Sequence, residues 1–194
     1  MSNIKTPMAS HGLWLPPMQQ QIFRDLLHVF SYPGRMVQCT AESMTWLALL
    51  AALTDGEVTL ADPHGLITAD IWPKLEARST TPDTATFIVA DGGRAMDFQP
   101  CIGSLESPEN GATLLLRVAS LSSEHSDGGV QLKLTGPGIQ GHTELSVSGL
   151  HPSWLIARAG LADAFPLGVD LLLCDERFIA ALPRTTRIET GDII

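Results

Sequence analysis

The strongest constraint on this chain is a set of short, densely apolar segments in its second half. ATLLLRVASL (112–121), GVDLLLC (168–174) and RFIAALP (177–183) read as buried strands, the last two forming a hairpin around Asp175-Glu176. TATFIVA (84–90) adds a strand that stops at DGG (91–93). VQLKLTG (130–136) alternates in polarity. Beyond the polar turn SSEHSDGG (122–129), it is predicted to pair antiparallel with 112–120.

The first half switches period. From Pro17, the residues Ile22, Phe23, Leu26, Leu27 and Phe30 lie on one helix face, and the helix stops at SYPG (31–34), where Pro33 cannot continue it. RMVQC (35–39) is a short strand. MTWLALLAALT (44–54) is a buried helix that Ser43 is placed to cap, EVTLA (57–61) a strand, and 66–78 a helical stretch interrupted by Pro73. Residues 93–108 carry no clear pattern, and a helix with Pro152 near its start spans 152–163. Helices alternate with strands early and hairpins dominate late. The expected fold is α/β, a mixed β-sheet flanked by helices, with 1–12 as a flexible tail and 13–194 as a single domain.

The 12 Lys and Arg against 21 Asp and Glu give a net charge of −9, which does not suit wrapping nucleic acid. A local arginine cluster could still hold one phosphorylated metabolite. No run approaches a membrane span, and the three cysteines show no metal spacing. The expectation is a cytoplasmic protein with unpaired thiols, no metal and no membrane partner.

LTGPGIQG (134–141) matches the dinucleotide fingerprint G-x-G-x-x-G. That fingerprint requires a helix to start at the loop, so that its amides face a pyrophosphate. Here HTELSVSGL (142–150) follows, with β-branched residues and a period of two. The glycines are read as a turn between strands. A P-loop, a G-x-S-x-G elbow and an H-E-x-x-H helix are all missing from the sequence. The only lysines, Lys5, Lys74 and Lys133, stand in no context that suits a Schiff base.

Two stretches exceed what packing alone asks for. FRDLLHVFSYPGR (23–35) flanks a Pro-Gly turn with Arg24 and Arg35. FPLGVDLLLCDERFIAALPRTTRIE (165–189) sets Asp170 in an apolar strand, where an ionised carboxylate needs hydrogen bonds or a cation. Its PRTTR segment offers Arg184, Thr185, Thr186 and Arg187 to an anion, an acidic side chain or a subunit contact. Arg117 is either the partner of Asp170 or points outward.

Taken in order, FRDLLHVFSYPGRMV, GATLLLRVASLS, LKLTGPGI, FPLGVDLLL and ALPRTT resemble the PhnH family, the H subunits of the bacterial carbon–phosphorus lyase core complex. The resemblance runs from about residue 15 to 190. It implies a shortened type I PLP-dependent transferase fold without the cofactor, with Asp170 as a relic of the cofactor-facing strand. It also implies a homodimer joined to G, I and J subunits. Their complex transfers an alkylphosphonate to ribose C1′ of a nucleoside triphosphate and releases the base. In that setting the chain is expected to be an accessory subunit, not catalytic alone. The alternative is a direct contribution to the transferase site through Arg184 to Arg187.

Overall fold

The computed structural model describes residues 11–41, 44–125, 128–161 and 164–191. The described residues form three layers. A 3₁₀ turn at His11–Trp14 leads into α1 (Pro16–Ser31), whose buried Ile22, Leu26 and Val29 make a stripe at i, i+4 and i+7. β1 (Val37–Gln38), α2 (Thr45–Leu53) and β2 (Thr59–Ala61) follow. α3 (Trp72–Leu75), β3 (Arg78–Ser79), β4 (Phe87–Asp91) and β5 (Thr113–Arg117) come next. β6 (Ser120–Ser122), β7 (Gly129–Thr135), β8 (Thr143–Ser148) and α4 (Ser153–Gly160) precede β9 (Asp170–Cys174), β10 (Phe178–Leu182) and β11 (Arg187–Thr190).

The large sheet has the order β1-β10-β9-β5-β4-β2-β3. β3, β2, β4, β5 and β9 are parallel, β10 runs against β9, and β1 runs against β10. One strand of the seven, β10, is therefore reversed. Both faces of this sheet are covered, so its strands are apolar at successive positions rather than alternately. Val89, Leu115, Leu172 and Ile179 face α1 and α2, while Ile88, Leu114, Leu116, Leu171 and Leu173 face the other layer. That layer is an antiparallel sheet, β11-β7-β8-β6, together with α4. It supplies Leu132, Leu134, Leu145, Val147 and Trp154 to the shared core.

The expected mixed sheet is present, and LTGPGIQG is the β7–β8 connection, a turn between antiparallel strands. Three expectations change. The segment 112–121 is two strands, because the chain leaves the large sheet after Arg117 and enters the small one at Ser120. β7 does not pair with 112–120; it lies between β8 and β11, in the other layer. Only the crossover at Val118-Ala119 separates β5 from β6. The helix expected at 66–78 contracts to the single turn α3, with Pro73 in its first positions and Glu76 ending it in the left-handed region at φ 57°. Ser43 and Asp163 lie outside the described residues, and Met44 occupies the N-cap position of α2. Of the expected tail, 1–10 lie outside the described residues, whereas His11 and Gly12 belong to the 3₁₀ turn.

Candidate functional site

Asp170 opens β9, at the amino end of the parallel strands, and its partner is Arg184. The ion pair is 2.7 Å from Nη2 to Oδ2, and the side chains are only 16% and 20% exposed. The backbone N–H of Arg184 also donates to Oδ1 at 2.7 Å. Arg184 reaches further: Nη1 donates to the Pro108 carbonyl at 2.6 Å, and Nη2 to that of Gly111 at 3.3 Å. The guanidinium thereby ties β9 and the turn after β10 to the loop before β5. The carboxylate buried in an apolar strand has the cation and hydrogen bonds that its burial demands.

A second arginine, unremarked in the sequence, backs this knot. Arg158, in the last turn of α4, donates through Nη2 to the carbonyls of Pro183 at 2.5 Å and Thr186 at 3.0 Å. Burial pushes its guanidinium down to about 10, and the nearby Asp170 pulls it the other way. PRTTR is thus a turn held by carbonyls and carboxylate from inside. Thr186 is 2% exposed and its carbonyl is taken by Arg158. Thr185 and Arg187 are exposed, the latter at the start of β11 beside Thr135.

The other candidates lie apart. Arg24 is exposed on α1. Arg35 is exposed with its guanidinium 5.1 Å from the Tyr32 ring centre. Around them stand the exposed apolar side chains of Phe23, Leu27 and Tyr32. Arg117 pairs in register with Cys174, at the other end of β9 from Asp170, and its guanidinium lies 5.3 Å from the Trp46 ring centre.

Open α/β sheets bind ligands at the carboxyl ends of their parallel strands, and there the structure gathers residues that no motif marked. Asp62, just past β2, accepts the Leu66 and Ile67 amides at 2.9 and 2.7 Å. The His64 ring is 1% exposed and accepts the Asp91 N–H at Nδ1, 3.0 Å away, which leaves the proton on Nε2. Nε2 has no hydrogen-bond partner and stands 3.8 Å from the exposed Asp97 carboxylate. The rings of Phe98 and Trp154 meet it edge-on at 6.2 and 6.4 Å. His151 and Ser153 share a 2.9 Å hydrogen bond, but the Ser153 oxygen also accepts the Met96 amide. Most of these polar atoms shape loops. Among the described residues no group of three acidic, His or Cys side chains could hold a metal ion.

The family described as "Bacterial phosphonate metabolism protein (PhnH)" matches residues 13–189. The chain belongs to the PhnH family. One relative, "Putative C-P lyase subunit protein HtxG" of Stutzerimonas stutzeri, is 43% identical over 182 residues, covering 93% of this chain and 90% of that one. A second, "Alpha-D-ribose 1-methylphosphonate 5-triphosphate synthase subunit PhnH" of Rhizobium meliloti (strain 1021), is 29% identical over 184 residues, covering 88% and 90%.

The segments that carry the PhnH resemblance in sequence converge in space. The Gly34 amide of SYPG donates to the Ala181 carbonyl of the strand before PRTT. A Cβ on Gly138 of LTGPGI, at φ 81°, would meet the Ser31 carbonyl and would stand 2.9 Å from Pro33 Cδ. A Cβ on Gly111, beside GATLLL, would strike the Gly168 carbonyl of FPLGVD and stand 2.7 Å from Arg184 Nη1. In this PhnH chain the markers are contact points, where backbone meets backbone too closely for a side chain.

Proposed function

We propose that this chain is an accessory subunit of a carbon–phosphorus lyase core complex in phosphonate catabolism. It supports transfer of an alkylphosphonate to ribose C1′ of a nucleoside triphosphate, with release of the base. The observation that carries this reading is the 43% identity, over 93% of the chain, to a protein named as a C-P lyase subunit. The geometry of PRTTR supports an accessory rather than a catalytic role, because Arg184 is taken up by Asp170, Pro108 and Gly111, and Arg158 Nη2 by the Pro183 and Thr186 carbonyls. What that segment has left for an anion on a partner is Thr185 and Arg187.

The reading extends to a cytoplasmic homodimer that assembles with G, I and J subunits. Its support is the exposed apolar face of α1: Phe23 and Leu27 are 48% and 54% exposed beside Arg24, with Tyr32 and Arg35 just beyond the helix. Aromatic and Arg side chains together are what interface centres favour. Among the described residues no helix is long and apolar enough to cross a membrane.

The same reading takes the fold as a shortened PLP-dependent transferase type without its cofactor. The seven-stranded mixed sheet with one reversed strand supports it. Of the lysines, Lys133 is on the outer sheet, paired with Glu189 at 3.0 Å, Lys74 is on α3, and Lys5 lies outside the described residues. Asp170 sits at the amino end of β9, away from the carboxyl edge where such sheets hold ligands, so its present role is the Arg184 knot.

The test is co-expression with the G, I and J subunits, followed by affinity capture and reconstitution of nucleoside-triphosphate turnover with and without this chain. Capture with the partners and loss of turnover on omission are expected. A chain that purifies alone would rule the reading out.

A further inference from the structure

Charge is unevenly divided along this chain. Residues 16–38, 134–143 and 183–188 hold four Arg, one Asp and no Lys or Glu, a net charge of +3 against −9 for the whole. The fold brings these three segments together. The Gly34 N–H donates to the Ala181 carbonyl at 3.2 Å, just before 183–188. A Cβ on Gly138 would meet the Ser31 carbonyl at the end of α1, and one on Gly136 would stand 2.9 Å from the Thr185 carbonyl. The turn between β7 and β8 therefore joins the end of α1 to PRTTR.

Of the charged groups in these segments, Arg184 is held inside by Asp170, and Asp25 is half-buried and accepts the Gln21 amide at 2.9 Å. Arg24, Arg35 and Arg187 are exposed, and the three segments carry no exposed acid. Among these arginines, Phe23, Leu27 and Tyr32 are each about half exposed. The Tyr32 ring is met by the His28 ring at 4.9 Å and by the Arg35 guanidinium at 5.1 Å. Side chains already held against one another lose less freedom when a partner covers them.

We propose that this face docks a protein partner that presents carboxylates around an apolar pocket. This rests on the complex membership proposed above and assigns the α1 face to the contact with a different subunit. Aromatic and Arg side chains favour the centre of such a contact, and complementary charge selects the partner. A second copy of the chain does not fit. A two-fold contact sets the same patch against itself, with arginines facing arginines and no exposed acid to pair them. The homodimer proposed above therefore forms through other surfaces. A small free anion would leave Phe23, Leu27 and Tyr32 uncovered. An anionic membrane would meet the negative charge of the rest of the chain.

Affinity capture of the full chain, co-expressed with the G, I and J subunits, tests the face. Arg24→Glu with Arg35→Glu lowers capture at least about tenfold, because repulsion replaces attraction at two points. Both side chains are exposed, so Tm stays within about 2 °C of wild type. Lys74→Glu, the same reversal at an exposed position on α3, leaves capture unchanged. Wild-type capture falls as salt rises from about 0.05 to 0.5 M. Sedimentation of the chain alone gives the same mass for wild type and the double Glu variant, and neither binds phosphatidylserine vesicles. A double variant captured like wild type, an equal loss with Lys74→Glu, or capture insensitive to salt would each overturn the docking face. So would a dimer that only the double variant dissociates, or vesicle binding that only the wild type shows. A wild type that is not captured at all overturns complex membership and this face with it, whereas capture that survives the double reversal overturns the face alone.

Discussion

Replacing Arg184 with alanine should unfold this protein more readily, and the size of the loss can be worked from its contacts. The ion pair to Asp170 is 2.7 Å long, with side chains 16% and 20% exposed, so water reaches it only in part. A charge-assisted hydrogen bond of this kind contributes about 1.5–3 kcal/mol, and losing a neutral one costs about 1 kcal/mol. The Pro108 and Gly111 carbonyls lose the donors Nη1 and Nη2, whereas Asp170 keeps the bond from the backbone N–H of residue 184. Discounting the ion pair for its partial exposure gives a total of about 3 kcal/mol, at the low end of what breaking a buried pair costs. For a chain of this size that is a fall of roughly 6–12 °C in Tm. Arg184→Lys keeps the charge but not the planar fork, and should lose about half as much. Urea unfolding of wild type, Arg184→Ala, Asp170→Asn and the double variant should show coupling of about 1–2 kcal/mol between the two sites. A loss below about 0.5 kcal/mol for Arg184→Ala, the scale of an ordinary surface substitution, would refute the knot. The reasoning also separates stability from chemistry: a phosphate-binding role for this segment should be tested at the exposed Thr185 and Arg187, where substitution leaves the fold intact.

Four further outcomes can be read from the same structure. Gly138→Ala should cost more than about 2 kcal/mol in urea unfolding, since φ is 81° and its Cβ meets Ser31 and Pro33. Gly141→Ala, at φ 74° with open space around it, should cost about 1 kcal/mol in the same assay. Iodoacetamide should label native protein first at the partly exposed Cys101, because burial pushes the Cys39 and Cys174 thiols up and keeps them protonated; mass spectrometry of timed samples reads this. Phe23→Ser with Leu27→Ser should leave Tm within about 2 °C of wild type and abolish capture by the partner subunits, because both side chains are about half exposed on α1.

The sequence by itself determined the kinds of element and much of the family. Apolar runs such as Leu114-Leu115-Leu116 read as buried strands, and the spacing of Ile22, Phe23, Leu26, Leu27 and Phe30 as a helix on that core, of which the fold buries Ile22 and Leu26 and leaves Phe23 and Leu27 about half exposed. Pro33 and Pro137 marked the turns, and the need of Asp170 for hydrogen bonds or a cation was legible from its apolar neighbours. Which arginine answered that need was not. Arg117 was the arginine the sequence offered, but the register of β5 on β9 sets it beside Cys174 and sets Thr113 beside Asp170, so the turn after β10 supplied Arg184 instead. The sheet to which β7 belongs was equally hidden, because an amphipathic strand states that one side is buried and not against what. Arg158 and His64 carry no motif at all. Their roles rest on hydrogen bonds and burial between residues far apart in the chain, which only the packed layers bring together. Local periodicity is written residue by residue, whereas the satisfaction of a buried charge or donor depends on partners that the chain reaches only by folding.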